Sequence, residues 1–290
     1  MKQMPSYLIN FLRSLLTLFY RGPWRRGVIR LAEKFAAGRT LPVASHSVIS
    51  GLDNPALMTR LLTEGFSGPI QVDPHVADEI VANLANEKRW IVPNPHLTDV
   101  AVQQVIFDPR LQELLKQYFG CCPLLYGSCI YISNTSGKLY NPEAKPCTKE
   151  FHYDLPDFKA LTLFVYLNEV DQFGGAHAVI PGSANRLTWH RVASRFMSYE
   201  KAVQTYGVDG IQTITGSKGT AFLEDLVNWH KRSVSNAPRY ALSATFTLIR
   251  KPSSVQAPWI AEALTRPLHT EYTPSAIEPF PTREVGKTIP

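Results

Sequence analysis

The chain has 290 residues, of which 44% are hydrophobic and 19% are charged, a composition typical of a soluble globular protein with a sizeable core. The net charge of +6 is unevenly spread: residues 1–40 hold eight Lys or Arg against one Glu, a charge of +7, which leaves about −1 for the other 250 residues. A nucleic-acid-binding domain spreads basic residues over one face, so we predict no nucleic-acid partner. The four cysteines include no Cys-X-X-Cys pair, which disfavours a zinc site or a disulfide framework.

The N-terminal region of residues 1–40 begins with an apolar segment at residues 7–20. Its 14 residues are fewer than the roughly 20 that a membrane-spanning helix needs, and they include Arg13. The basic pair Arg25-Arg26 follows where a signal peptide would have small residues. We therefore expect an interfacial helix on an anionic membrane surface, at the cytoplasmic face of the inner membrane. The alternative is a helix docked on the core, with residues 21–30 as a solvated face.

Turn signals and helix signals follow in residues 40–120. Residues 40–70 contain several Gly and Pro residues and are interpreted as a connector with short elements. Asp73 followed by Pro74 predicts a helix start, and Asp108 followed by proline predicts another. Gly120 is predicted to end the second helix. Both helices are interpreted as scaffold.

From Pro123 onward, short segments rich in β-branched and aromatic residues predict strands. They lie at residues 124–133, 161–167, 176–180, 219–223 and 240–250. No long helices alternate with them, so the pattern predicts an all-β core with flanking helices, a double-stranded β-helix of the cupin-like jelly-roll class. We assign this domain to residues 41–250. The Pro-rich tail at 251–290 is expected to wrap over the domain, to be mobile, or to contribute to a substrate lid.

Two histidines and one aspartate have the spacing of a redox-active metal site. His152 and Asp154 are two residues apart in an extended segment, so both side chains can reach one ion. His230 follows the strand predicted at residues 219–223 and is the best candidate for a ligand from across the sheet. Two neutral imidazoles and one carboxylate leave open positions on Fe(II). The alternatives are a metal-free His–Asp hydrogen bond and a core histidine, and His177 is the other candidate ligand.

A 2-oxoglutarate co-substrate on such an iron would need a cation for its far carboxylate. Arg239 opens the last predicted strand, and its planar guanidinium suits a bidentate pair with that carboxylate. Ser243 shares the same face of the strand and would add a hydrogen bond. Phe164 is expected to pack on the co-substrate from the opposite sheet. The alternative for Arg239 is an ordinary salt bridge.

The pattern as a whole resembles the phytanoyl-CoA dioxygenase family over roughly residues 60–250. The resemblance is carried by His152-X-Asp154, Tyr166-Leu167-Asn168, Gly174-Gly175, Pro181-Gly182-Ser183 and the stretch from Gly219 to Arg239. It implies a double-stranded β-helix, the cofactors Fe(II), 2-oxoglutarate and O2, and hydroxylation of an aliphatic carbon. The implied metal ligands are His152, Asp154 and His230, and the implied 2-oxoglutarate clamp is Arg239. Family halogenases replace the acidic ligand with a small residue, so Asp154 favours hydroxylation.

The chain length and the N-terminal region further resemble the Kdo 3-hydroxylases. This resemblance implies the Kdo sugar of lipid A or lipopolysaccharide as the substrate, met by a peripheral enzyme at the inner membrane surface. One alternative is a soluble acyl-CoA or small-metabolite hydroxylase. The other is a catalytically inactive binding or scaffold protein with the same barrel, although the four occupied functional positions argue against loss of activity.

Overall fold

The computed structural model describes residues 15, 17–36, 38–87, 91–133, 150–186, 191–192, 194–233 and 238–249. The predicted apolar segment at residues 7–20 lies mostly outside the described residues, and the predicted tail at 251–290 lies wholly outside them. The described α-helices are α1 (Arg25–Phe35), α2 (Pro55–Glu64), α3 (Pro74–Asn83), α4 (Val100–Ile106), α5 (Pro109–Phe119) and α6 (Tyr199–Tyr206). Over the described part of the chain, no helix is both long and apolar enough to span a bilayer.

The strands form two antiparallel sheets. The strands are β1 (Ile49–Ser50), β2 (Phe66–Val72), β3 (Ile91–Pro93), β4 (Leu124–Ser133), β5 (Phe151–His152), β6 (Ala160–Tyr166), β7 (His177–Ile180), β8 (Phe196–Met197), β9 (Gln212–Ile214), β10 (Thr220–Glu224), β11 (Trp229–Arg232) and β12 (Arg239–Thr247). The major sheet has the order β1-β2-β10-β6-β12-β4-β3, and the minor sheet has the order β8-β5-β11-β7-β9. This arrangement confirms the predicted double-stranded β-helix with flanking helices.

Three apolar clusters follow from the alternation of side chains along the strands. The largest lies between the major sheet and helices α2–α5 and includes Ile106, Leu115 and Phe246. A second cluster fills the space between the two sheets, where Tyr166 and Phe222 of the major sheet meet Val179 of the minor sheet. The third covers the outer face of the minor sheet. Polar side chains that point inward from either sheet therefore lie in the same buried space as this second apolar cluster.

The predicted helix signals at Asp73 and Asp108 are confirmed, since each carboxylate accepts backbone N–H bonds at a helix start. Gly120 ends α5 in the left-handed conformation, as predicted. Residues 40–70, interpreted as a connector with short elements, contain more regular structure than that, namely helix α2 and strand β2, which pairs with β10 in the major sheet. Asn54 and Pro55 are the N-cap and first residue of α2, and Gly65 is its C-cap.

Candidate metal centre between the two sheets

His152, Asp154 and His230 come together at one point of the minor sheet. One ligand atom from each side chain lies within 4.8 Å of the other two. His152 and His230 are directly paired across β5 and β11, which places both imidazoles on the inner face with ring centroids 4.3 Å apart. Nε2 of His230 lies 3.9 Å from Oδ2 of Asp154. The structure thus forms the predicted cluster, and the role of its members as ligands stays a prediction.

Alternation along the chain explains why both members of the His-X-Asp motif face the cluster. Tyr153, between them, points to the outer face of the minor sheet, where it packs edge-on against Trp229 with centroids 5.0 Å apart. The backbone N–H of Asp154 donates to the carbonyl of Leu226 at 2.8 Å, which ties the motif to the loop before β11. The spacing argument made from the sequence therefore corresponds to the observed geometry.

Burial makes both imidazoles suitable donors for a divalent cation. Burial lowers the pKa of His152 to about 2, with the charges of His230 and Arg195 lowering it further. Burial likewise lowers the pKa of His230. Metal ligation requires deprotonated, neutral imidazole, so the site holds its histidines in the binding form at neutral pH. Nδ1 of His152 is buried and has no hydrogen-bond partner among the described residues, an unsatisfied atom in a donor set that fits Fe(II).

A hydrogen bond to a backbone carbonyl fixes the orientation of the His230 ring. Its Nδ1 lies 3.0 Å from the carbonyl oxygen of Asn228, so the Nδ1–H donates there and the lone pair of Nε2 faces Asp154. Asn228 is itself fully buried. Its side-chain oxygen accepts from the backbone N–H of Ala184 at 2.7 Å, and its amide nitrogen donates to the carbonyls of Glu64 and Gly65 at 3.0 Å each.

The Pro181-Gly182-Ser183 turn belongs to the same support. Oγ of Ser183 accepts a hydrogen bond from the backbone N–H of Trp229 at 2.8 Å, one residue before His230. Gly182 has φ = 75°, a left-handed conformation that glycine adopts without steric cost. The turn at residues 181–183, which is part of the family resemblance, therefore positions the start of β11 through Ser183.

Arg195 contacts the carboxylate of the cluster and was not predicted. Its guanidinium forms a salt bridge with Oδ1 of Asp154, and its Nε donates to the carbonyl of Tyr153 at 3.0 Å. The side chains of Arg195 and Asp154 are 42% and 33% exposed, so this is the solvent-accessible side of the cluster. Arg195 precedes the edge strand β8, and no short-range sequence signal links it to Asp154.

Arg239 lies inside the barrel, as predicted from its position in β12. It is 4% exposed, and its guanidinium carbon lies 5.2 Å from the ring centroid of Tyr166. Among the described residues no Asp or Glu forms a salt bridge with it, and its Nε has no hydrogen-bond partner. Burial lowers its pKa to about 10, and the nearby charge of Arg232 contributes to that shift. The guanidinium is thus a buried cation without a carboxylate partner in the described chain.

Ser243 and Phe164 also occupy the inner face, where they are paired across β12 and β6. The hydroxyl of Ser243 donates to the carbonyl of Cys129 at 3.5 Å. Phe164 stacks on Phe222 with centroids 5.2 Å apart and lies 5.1 Å from the ring of His177 in the opposite sheet. Their predicted contacts with the co-substrate remain predictions.

Arg232, which was not predicted as a site residue, also lies on the inner face, because it is two residues after His230 in β11. The alternation of side chains along a strand is the sequence signal that could have identified this position.

His177, the alternative ligand, has a different partner. Its Nε2 lies 2.7 Å from Oε2 of Glu224 in the opposite sheet, and both side chains are buried. Oε1 of Glu224 lies 3.7 Å from Nδ1 of His230. Burial raises the pKa of Glu224 to about 8 and lowers that of His177 to about 3, so burial favours the neutral form of each group. This pair lies next to His230 and connects the two sheets.

Comparison with known proteins gives likenesses in structure alone. No protein-family model matches the chain, and no curated protein matches it. The non-heme alpha-ketoglutarate-dependent epimerase SnoN from nogalamycin biosynthesis aligns with a TM-score of 0.52 and 19% identity, over 66% of this chain and 81% of that one. EvdO2 from Micromonospora carbonacea var. aurantiaca aligns with a TM-score of 0.50 and 12% identity, over 69% and 92%. At these identities the likeness establishes a shared fold.

Proposed function

We propose that the protein is an Fe(II)- and 2-oxoglutarate-dependent oxygenase that hydroxylates an aliphatic carbon. The observation that carries the proposal is the convergence of His152, Asp154 and His230 inside a double-stranded β-helix, with the buried cation of Arg239 on the inner face of the facing sheet. A fold by itself does not assign an activity, so the argument depends on these side chains.

Each residue has a defined part in this proposal. His152, Asp154 and His230 would hold the metal through two imidazoles and one carboxylate, which leaves room for other ligands. Bound Fe(II) supplies the one-electron and O2 chemistry that protein side chains lack. The buried guanidinium of Arg239 would pair with the far carboxylate of 2-oxoglutarate, and Ser243 would donate a hydrogen bond to it. Phe164 and Phe222 provide an apolar wall that excludes water beside the site.

Turnover in the absence of substrate tests this assignment. Purified protein with Fe(II), 2-oxoglutarate and O2 is expected to release succinate slowly, and Asp154→Ala is expected to reduce that release to background. Asn185→Ala, an exposed change elsewhere, serves as the control. If the folded wild-type protein forms no succinate, either alone or with any of the substrates tested, the result would favour the alternative of an inactive binding or scaffold protein.

For the substrate, we propose a glycolipid, with the Kdo sugar of lipid A as the first compound to test. The proposal is supported by the resemblance to Kdo 3-hydroxylases and by the basic, apolar N-terminal region, which suits an anionic substrate presented at a bilayer. The second candidate is a soluble acyl-CoA or small metabolite. Mass spectrometry of reactions with each class separates them, because only the true substrate gains one oxygen atom in step with succinate release.

A further inference from the structure

Exposed apolar side chains are concentrated in residues 15–35. Of the eleven large hydrophobic side chains exposed in the described part of the chain, six lie in this stretch of 21 residues. Phe35 is 78% exposed and Leu31 is 57% exposed. The others are Leu15, Leu18, Phe19 and Trp24. A concentration of this kind on a basic segment marks an interaction surface.

The basic side chains of α1 lie in a row beside this apolar surface. Arg26, Arg30 and Lys34 are exposed and spaced four residues apart, so they follow one another along the helix surface. Leu31 and Phe35, also four apart, form the adjacent row. No acidic side chain in the described ranges forms a salt bridge with any of the three basic residues. The outer face of α1 therefore combines an apolar row with an uncompensated positive row.

The opposite face of the same segment is docked on the barrel. The hydroxyl of Thr17 lies 3.0 Å from that of Tyr153, and Arg21 forms a buried salt bridge of 3.3 Å with Asp225. Further along, Nε of Arg25 donates to the carbonyl of Phe158 at 2.8 Å. Glu33 completes the attachment through a salt bridge of 3.2 Å with Lys159. These contacts fix which face of the segment points outward.

We propose that residues 15–35 dock the protein on an anionic lipid bilayer through this outer face. Apolar side chains would enter the interfacial region while Arg26, Arg30 and Lys34 meet the headgroups, an arrangement typical of interfacial helices. A second copy of the chain is a poorer partner, because it would bring one positive row against another. The docked inner face and the lipid-facing outer face belong to one segment, so the two alternatives drawn from the sequence are compatible. This inference does not rest on the proposed enzymatic activity.

Co-sedimentation of the full-length protein with lipid vesicles tests the docking surface without any enzyme assay. We expect binding to vesicles of equal parts phosphatidylcholine and phosphatidylglycerol, weak binding to phosphatidylcholine alone, and weaker binding at high salt. Each basic residue near an anionic surface raises partitioning about fivefold, so Arg26→Gln/Arg30→Gln/Lys34→Gln should lower it about a hundredfold. Leu31→Ser/Phe35→Ser should lower it by at least about tenfold.

Two matched control variants change other exposed side chains elsewhere in the described chain. Arg110→Gln/Lys116→Gln/Lys201→Gln removes the same charge from other helices, and Leu62→Ser/Phe173→Ser removes two other exposed apolar groups. Both are expected to retain vesicle binding. Equal losses in these controls, or failure of the folded wild-type protein to bind anionic vesicles, would overturn the proposal. Light scattering distinguishes the other occupant: a dimer that Leu31→Ser/Phe35→Ser dissociates would identify a second copy as the partner.

Point substitutions serve this test better than truncation. Removing residues 1–22 would also delete the buried contacts of Thr17, Tyr20 and Arg21, so lost membrane binding could reflect lost packing. The substituted side chains on the outer face are exposed, and such changes usually alter the free energy of unfolding by less than about 0.5 kcal/mol. Equal melting temperatures of wild type and variants would confirm that only the surface has changed.

Discussion

The two imidazoles and the carboxylate of the cluster lie in different surroundings. Burial keeps His152 and His230 neutral, whereas Asp154 is partly exposed and paired with the guanidinium of Arg195. The carboxylate thus presents one oxygen to Arg195 and the other toward His230. Arg195 is attached at two points, to the side chain of Asp154 and to the carbonyl of Tyr153. Arg195 therefore fixes the orientation of this carboxylate beside the two imidazoles.

Loss of Arg195 is expected to weaken metal binding. Arg195→Ala frees the carboxylate of Asp154 to rotate, and removal of a group that orients a metal ligand typically costs about 10–100-fold in affinity. We expect a loss near tenfold, since the pair is partly exposed, and partial recovery in Arg195→Lys. Isothermal titration with Mn²⁺ under anaerobic conditions measures it. Arg186→Ala, an exposed arginine away from the cluster, is the control, and unchanged affinity in Arg195→Ala would refute the positioning role.

The buried carboxyl group of Glu224 gives stability a distinct pH dependence. Because burial raises the pKa of Glu224 to about 8, the folded protein binds a proton that the unfolded chain releases at about pH 4.3. Its contribution to stability is therefore complete at low pH and is lost as pH rises toward 8. Glu224→Gln keeps a hydrogen-bonding group beside His177 and removes this titration. Between pH 6.5 and 8 the wild type should lose up to about 1.4 kcal/mol per pH unit relative to the variant.

Urea unfolding at several pH values measures this difference. Comparison with Glu224→Gln isolates the titration of Glu224 together with its coupling to His230, whose pKa the charge of Glu224 raises. Parallel stability profiles for the two proteins would show that Glu224 is already ionised in the folded state. Glu224→Ala should be destabilised by about 2–4 kcal/mol, because it leaves His177 unpaired beside a cavity.

At the scale of elements, the start of β11 is the point where several segments meet. Asn228 connects the end of α2, through the carbonyls of Glu64 and Gly65, with the turn before residue 185. Its own carbonyl orients His230. The His–Asp–His cluster is therefore supported by a helix end and a turn that lie far from it in sequence.

Removal of the Asn228 side chain is expected to affect both stability and the metal site. Asn228→Ala removes the acceptor of the Ala184 N–H and one of two donors to the carbonyls of Glu64 and Gly65, which keep the N–H groups of Gly182 and Asp225. At about 1 kcal/mol for each of the three lost hydrogen bonds, the cost is about 3 kcal/mol in the free energy of unfolding. The substitution should also displace the backbone carbonyl of residue 228, which orients His230, and so lower the affinity for Mn²⁺. Asn185→Ala, which loses one hydrogen bond to the carbonyl of Thr63 at the surface, should cost less than about 1 kcal/mol. Equal effects of the two changes would contradict this support role.

The sequence allowed prediction of those elements whose signals are local. The alternation in His152-X-Asp154 and the caps at Asp73 and Asp108 depend on neighbouring residues, and all three correspond to the structure. Helix α2 and strand β2 were not predicted individually, because Pro55 and Gly65 at the ends of α2 and the Gly68-Pro69 pair resemble turn signals. Gly68 and Pro69 lie within β2, where the packing of the sheet outweighs their low strand propensity.

Contacts between distant segments could not be predicted in the same way. Arg195 reaches Asp154 from the segment just before the edge strand β8, and Glu224 reaches His177 from the opposite sheet. Such pairs depend on the register and packing of the sheets, which short-range patterns do not specify. The inward direction of Arg239 was predictable from its place in β12, whereas its lack of a carboxylate partner in the described chain became visible only in the structure.

On the scale of the whole molecule, the two sheets divide the chemistry of the site. The minor sheet carries the His–Asp–His cluster, and the major sheet carries Arg239 and Ser243 on the face turned toward it. The large apolar core packs between the other face of the major sheet and the helices. Along another side of the barrel, Thr17 of the segment 15–35 contacts the hydroxyl of Tyr153, the residue between two cluster members. A side-chain contact between Thr17 and Tyr153 thus connects the proposed membrane-binding segment with the proposed metal site.

An anaerobic titration of Fe(II) and 2-oxoglutarate tests the central claim most directly. We predict a weak visible charge-transfer band in the wild type, no band in His152→Ala, and a band in Arg239→Gln only at much higher 2-oxoglutarate concentration. His75→Ala, a substitution at an exposed residue, should behave as the wild type. Absence of the band in folded wild-type protein, or its persistence in His152→Ala, would contradict the assignment of the metal and co-substrate site.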